Sequence, residues 1–307
     1  MSRFFKPVSV LLLFCLVLGL ACKEAAPKPS AVSLTDDLGR TVTVKGVPKR
    51  IVSLAPSNTE ILFALGLDNE IVGVTDFCDY PPAAKEKQSV GAPFPEFSLE
   101  KIVALNPDLT VAFGYTLPDI ASKLEAQRIP IIVLGAKTVD GVIANIELLG
   151  KVTGKEAKAK ELTSDMRKRV DAVIAKTKSA PTPGVYYEMD ATDPTKPWTA
   201  GPGSLIEDLI RLAGGENIGA KGPSAAYQIS SEELLKANPQ IIIFASAQYG
   251  VSKADLTKRT GWDSIAAVKK DAIYPVDTSL ADLIEVPGPR IAEGVEKMAR
   301  MIHPELF

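Results

Sequence analysis

One short stretch of this chain occurs twice. Ser98-Leu-Glu-Lys-Ile-Val-Ala-Leu-Asn-Pro-Asp-Leu-Thr-Val-Ala-Phe113 returns as Ser230-Ser-Glu-Glu-Leu-Leu-Lys-Ala-Asn-Pro-Gln-Ile-Ile-Ile-Phe-Ala245, with Ser, Glu, Asn and Pro aligned at one offset. Each copy predicts a helix opened by a serine cap and an acidic first turn. The helix stops at Asn-Pro because proline cannot continue it, and a buried strand follows. A repeat this widely spaced does not indicate a solenoid. A second pair keeps the same order within each half: Asn58-Thr-Glu60-Ile-Leu-Phe-Ala-Leu-Gly66 resembles Leu205-Ile-Glu207-Asp-Leu-Ile-Arg-Leu-Ala213. Two similar α/β lobes with a ligand cleft between them are the economical reading.

The first 22 residues bear on the compartment. Arg3 and Lys6 precede an apolar run from Val8 to Leu20, and small Ala21 precedes Cys22. This is the pattern of a secretory signal peptide, residues 1–21. A cysteine directly after Gly19-Leu-Ala21 resembles the bacterial lipoprotein processing site, although Gly19 stands where leucine is usual. Cys22 is then the lipidated first residue of an exported chain, and residues 22–30 are a flexible tether. A secreted protein with an incidental Cys22 is the alternative.

Several classes are excluded by what remains. Loss of Arg3 and Lys6 with the leader moves the net charge from −2 to about −4, and no basic face suggests nucleic acid. Cys15 leaves with the leader and Cys22 is modified, so Cys78 is the one ordinary thiol and no disulfide framework is possible. The single histidine, His303, rules out a multi-histidine metal site. It also argues against a Ser-His-Asp or Cys-His arrangement, since so near the end of the chain it reads as a surface side chain.

Along the chain, residues 31–45 alternate as a β-hairpin around Asp36-Asp-Leu-Gly-Arg40. A buried strand follows at 50–55, and Pro56-Ser57-Asn58 caps a helix running to Gly66. The first lobe spans 31–137. Apolar residues from Val142 to Val173 then fall at spacings of three and four, which predicts one long amphipathic bridging helix over 138–178 or two abutting helices around Gly154. The second lobe covers 179–307. Its Gly-Pro-Gly-Ser204 lacks the Lys-Ser/Thr of a phosphate loop and reads as a tight turn and N-cap.

These segments carry a family resemblance. Arg50-Ile-Val-Ser-Leu-Ala-Pro-Ser-Asn-Thr-Glu60, Val72-Gly-Val-Thr, Asp79-Tyr-Pro-Pro82 and Leu99 to Asp108 resemble the cobalamin-binding proteins of bacterial ABC importers, within the wider class of siderophore and haem binders. Gly214-Gly-Glu-Asn-Ile218, Gln228-Ile-Ser-Ser-Glu232 and Gly288-Pro-Arg-Ile291 extend the likeness over nearly the whole mature chain. The resemblance implies two Rossmann-like α/β lobes joined by one long helix. It implies a monomer that hands its ligand to a permease dimer with separate ATPase subunits, without catalysis and without a bound cofactor.

By the same resemblance, Glu100 and Glu232 pair with arginines of the two permease subunits, which would fix orientation and raise the on-rate more than the affinity. An acid in a helix's first turn is also favoured by the dipole alone, and Glu233 fits a capping box with Ser230. Aromatic residues make up only 6% of the chain, so those in loops after strands are informative. Phe77, Phe94, Phe113 and Trp198 match aromatic contacts to the corrin or its base, and Tyr115 and Tyr227 are further candidates. Asp282 matches a position that hydrogen-bonds corrin amides. Arg290 is read as tying the last helix to its lobe, and Cys78 and Met189 as packing residues. A ferric siderophore or haem is the alternative cargo. A metallocofactor enzyme on the same lobes is a remote one, since such chemistry needs clustered cysteines, histidines or carboxylates.

Overall fold

The computed structural model describes residue 1 and residues 31–94, 96–114 and 118–307. The leader, Cys22, the tether and Tyr115 therefore lie outside the described residues. The first lobe opens with the expected hairpin, β1 (Val32–Thr35) and β2 (Thr41–Val44). It continues through β3 (Ile51–Ser53), α1 (Pro56–Ala64), β4 (Ile71–Gly73), α2 (Leu99–Ala104), β5 (Leu109–Phe113), α3 (Pro118–Ala126) and β6 (Ile131–Leu134). Its sheet is wholly parallel, in the order β4-β3-β5-β6.

Two helices, α4 (Val139–Thr153) and α5 (Glu156–Thr177), lead to the second lobe. There β7 (Gly184–Asp190), β8 (Trp198–Ala200), α6 (Leu205–Leu212), β9 (Glu216–Asn217) and β10 (Ala226–Gln228) precede the second copy of the repeat, α7 (Ser231–Ala237) and β11 (Ile241–Phe244). The chain ends with α8 (Lys253–Thr257), α9 (Ala266–Lys269), β12 (Ile273–Pro275), α10 (Thr278–Ile284) and α11 (Ile291–Ile302). β7, β11 and β12 are parallel, while β8 and β10 are antiparallel additions on the other side of β7. The lobes thus share a central plan but not their edges.

Strand alternation distributes the core. Ile51, Val111 and Ile132 enter one cluster, and their neighbours Val52, Ala112 and Val133 enter another on the opposite face of the first sheet. In the second sheet Val185, Tyr187, Ile241 and Ile243 join the first cluster, whereas Tyr186, Ile242 and Phe244 build a third around Trp262. Successive side chains on a strand point to opposite faces, so each parallel strand feeds two cores. The first cluster is continuous through both lobes and includes Val142, Ile146, Met166, Val170 and Val295 of the helices between and behind them.

The 138–178 segment is not one helix. α4 ends at Gly154, whose φ of +68° places it in the left-handed region that glycine adopts without strain. The chain then folds back: Glu147 of α4 accepts hydrogen bonds from Thr163 at 3.2 Å and Arg167 at 2.9 Å. Residues 16 and 20 positions apart meet only if the helices run antiparallel. Further along α5, Arg169 pairs with Glu296 of α11 at 2.8 Å, and Thr177 lies against Gly214. α5 is 22 residues and about 33 Å long, while α4 meets both lobes: Asn145 donates to Asp37 of the first, and the Val139 N–H donates to Asp208 of α6 in the second.

Three smaller expectations also change. Pro56 takes the first turn of α1 as expected, but the N-cap is Ala55 and no side chain caps the helix. His303 is buried rather than on the surface, with Nε2 3.2 Å from the Gly214 carbonyl oxygen and Nδ1 3.3 Å from Glu305. Met189, read as a packing residue, is 37% exposed.

Candidate functional site

A cavity of about 510 Å³ lies between the lobes, within the usual range for a small-molecule site. The first lobe supplies Phe113 and Gly114 from the end of β5, Gly135 to Lys137 after β6, and Asp37 and Leu38 from the hairpin turn. The second supplies Leu205 at the start of α6, and Glu285 and Pro287 after α10. A smaller hollow of about 110 Å³ shares Phe113, Glu285 and Pro287 and adds Ala55, Pro56 and Ser57. Both open where parallel strands end and helices begin, the place where α/β sheets bind ligands.

The two sides of the smaller hollow have opposite hydrogen-bonding character. α1 points its uncapped N-terminus into it, and Thr59 makes the first intrahelical bond, to Ala55. The N–H groups of Ser57 and Asn58 therefore have no acceptor within the helix. Glu285 faces them as an acceptor, oriented by the hydroxyl of Tyr187, which donates to Oε1 at 2.6 Å. Burial, reinforced by that carboxylate, pushes the Tyr187 hydroxyl well above its ordinary pKa, so it stays a donor. Asn58 itself is buried, and its Nδ2 has no partner among the described residues.

An inter-lobe ion pair lies beside the cleft. Arg290 donates from Nε and NH2 to the two carboxylate oxygens of Glu60, at 2.9 and 2.6 Å, and its guanidinium lies 3.8 Å from the centre of the Tyr80 ring. Arg290 thus ties its helix to the opposite lobe rather than to its own. Burial raises the Glu60 pKa despite Arg290. Burial also raises that of Asp282, with Asp79 adding to the effect and Arg290 opposing it.

Of the candidate ligand contacts among the described residues, only Phe113 lines the inter-lobe cavity. Phe77, Phe94 and Trp198 stand 56%, 76% and 42% exposed on loops and strand ends. Asp282 sits by the Arg290 pair instead. Tyr227 packs against the third core cluster, with its ring over Gly222 and Gly201. Cys78 is buried and hydrogen-bonded by Thr59 at 3.1 Å, and burial raises its thiol pKa. Glu285, Tyr187, Leu38 and Lys137 escaped sequence reasoning. Only the proximity of Glu285 to Gly-Pro-Arg290 offered a signal.

Glu100 and Glu232 are both exposed on the first turns of the repeated helices. In the second copy, Ser230 and Glu233 form the capping box, which frees Glu232 from that task. Glu232 also borders a cavity of about 500 Å³ that includes Leu235 and Trp262.

The architecture and inter-lobe cavity define a bilobed binding protein. The chain belongs to the periplasmic binding protein family, whose model matches residues 51–280. It is 33% identical over 283 residues to the uncharacterized ABC transporter substrate-binding lipoprotein YvrC of Bacillus subtilis, covering 90% of this chain and 87% of that one. It is 30% identical over 295 residues to a cobalamin-binding protein of Halobacterium salinarum, covering 92% and 75%. Among solved structures, a possible iron-binding protein of Staphylococcus epidermidis superposes with a TM-score of 0.73 at 30% identity, covering 83% of this chain and 99% of that one. The vitamin B12-binding protein BtuF of Vibrio cholerae gives 0.72 at 28%, covering 84% and 97%. The chain is thus a member of the periplasmic substrate-binding proteins, among relatives named for ABC transport and for cobalamin binding.

Proposed function

We propose that this protein captures cobalamin or a related corrinoid outside the cytoplasm and delivers it to an ABC permease dimer driven by separate ATPase subunits. The observation that carries the reading is the smaller hollow, lined by the uncapped N-terminus of α1, by the Tyr187-oriented Glu285 and by Phe113. A primary amide fits that pair, its carbonyl accepting from α1 and its NH2 donating to Glu285. Corrin side chains present such amides around an apolar rim. The exposed Phe77, Phe94 and Trp198 extend the apolar surface available to so large a ligand, with Asp282 a further polar contact.

Glu100 and Glu232 are the docking residues in this reading, one per lobe, each pairing with a permease arginine. Cys22 carries the lipid that holds the protein at the membrane. Among the described residues no helix is long and apolar enough to span a membrane. The test is isothermal titration of the exported protein with cyanocobalamin, cobinamide, haem and a ferric siderophore. One-to-one binding of corrinoids alone, weakened by Trp198→Ala, is expected. Binding of haem or siderophore without corrinoids would retain the transport class and replace the cargo.

A further inference from the structure

The turn of the β1–β2 hairpin is bolted to the far side of its lobe. The Asp36 side chain is fully buried and accepts from Arg40 Nε at 3.1 Å and NH2 at 2.7 Å, and from the backbone N–H groups of Leu38, Arg40 and Val133. Asp37 donates its backbone N–H to the Val133 carbonyl at 3.0 Å. Its Oδ2 accepts from the Gly135 N–H at 2.5 Å and Asn145 Nδ2 at 3.3 Å. Arg40 reaches on to Glu125 and the Ile131 carbonyl. Two adjacent acids thus hold a surface turn against the end of β6, about a hundred residues away in sequence.

Between these anchors the turn presents Leu38, which is 51% exposed and lines the inter-lobe cavity together with Phe113, Leu205 and Pro287. A leucine on a loose turn could fold away from water. This one is fixed by its neighbours' hydrogen bonds and offers its methyl groups to the cleft.

We propose that Leu38 is a specificity-determining ligand contact and that Asp36 and Asp37 are positioning residues that hold it there. The hairpin is then a wall of the binding site, matched to an apolar face of the ligand such as the methyl-bearing edge of a corrin. This rests on the corrinoid reading of the cleft.

The test is titration of the exported protein, purified in detergent, with cyanocobalamin, comparing the parent with Leu38→Ala, Leu38→Asp, Asp37→Ala and Asp37→Asn, each with its melting temperature. Covering half a leucine predicts a Kd raised about five- to tenfold by Leu38→Ala, more by Leu38→Asp, at an unchanged melting temperature. Asp37→Ala should raise Kd similarly, and Asp37→Asn, which keeps an acceptor oxygen, should restore it. Equal Kd for the parent and both Leu38 variants would overturn the inference and leave the corrinoid reading intact. So would a loss of binding that only follows a fall in melting temperature. A parent that binds no corrinoid would overturn the reading, and the inference with it.

Discussion

Asp36 shows how one side chain can serve fold and site together. Burial alone would raise its pKa, but the hydrogen bonds from Arg40 and the backbone N–H of Val133 prevail, and the carboxyl titrates below its usual range. A depressed folded pKa contributes stability that is present above the unfolded value near 3.9 and is lost as pH falls through the lower folded value. The midpoint of urea denaturation should therefore drop as pH is lowered below about 4, and the drop should be shallower in Asp36→Asn, which is also less stable at neutral pH. The acids were visible in the sequence as a hairpin turn. Their attachment to Val133 and Gly135 was not, because it depends on where β6 is placed by the sheet.

At the scale of elements, the repeat was the most legible feature, yet its stop signal works differently from the expectation. In both copies the asparagine adopts the left-handed conformation, with φ of +49° at Asn106 and +47° at Asn238. Asparagine tolerates that region better than other non-glycine residues, so it ends the helix and proline follows. Asn106→Ala should cost about 1 kcal/mol in urea denaturation, while Asn106→Gly should be close to neutral. Helical spacing from Val142 to Val173 likewise read correctly as amphipathic helix. Of the two forms that periodicity allowed, the structure has two helices abutting at Gly154; periodicity does not record a reversal of direction, and the Glu147 contacts make the pair a hairpin.

At the scale of the molecule, a single core cluster runs through both lobes and the Glu60–Arg290 pair crosses between them. Both features resist large lobe opening. Removing one partner of a buried pair strands the other's charge, so Arg290→Met should lower stability by about 3 kcal/mol. Glu60→Gln should cost less, since burial already disfavours the Glu60 charge. Paired urea titrations of the two variants decide between this and a merely superficial contact. A smaller effect of Arg290→Met than of Glu60→Gln would count against the buried tether.

Sequence by itself determined what depends on short-range chemistry: the two αβ lobes, the capped helices of the repeat and the family. These follow from composition, spacing and local backbone preference, which a linear pattern records. Only the tertiary structure decided the site. Phe113, a candidate from the sequence because aromatics are scarce, lines the cavity, but Glu285, Tyr187, Leu38 and the uncapped N-terminus of α1 come together there through the meeting of segments up to about 250 residues apart. Such meetings are set by sheet order and a shared core, and no local pattern encodes them.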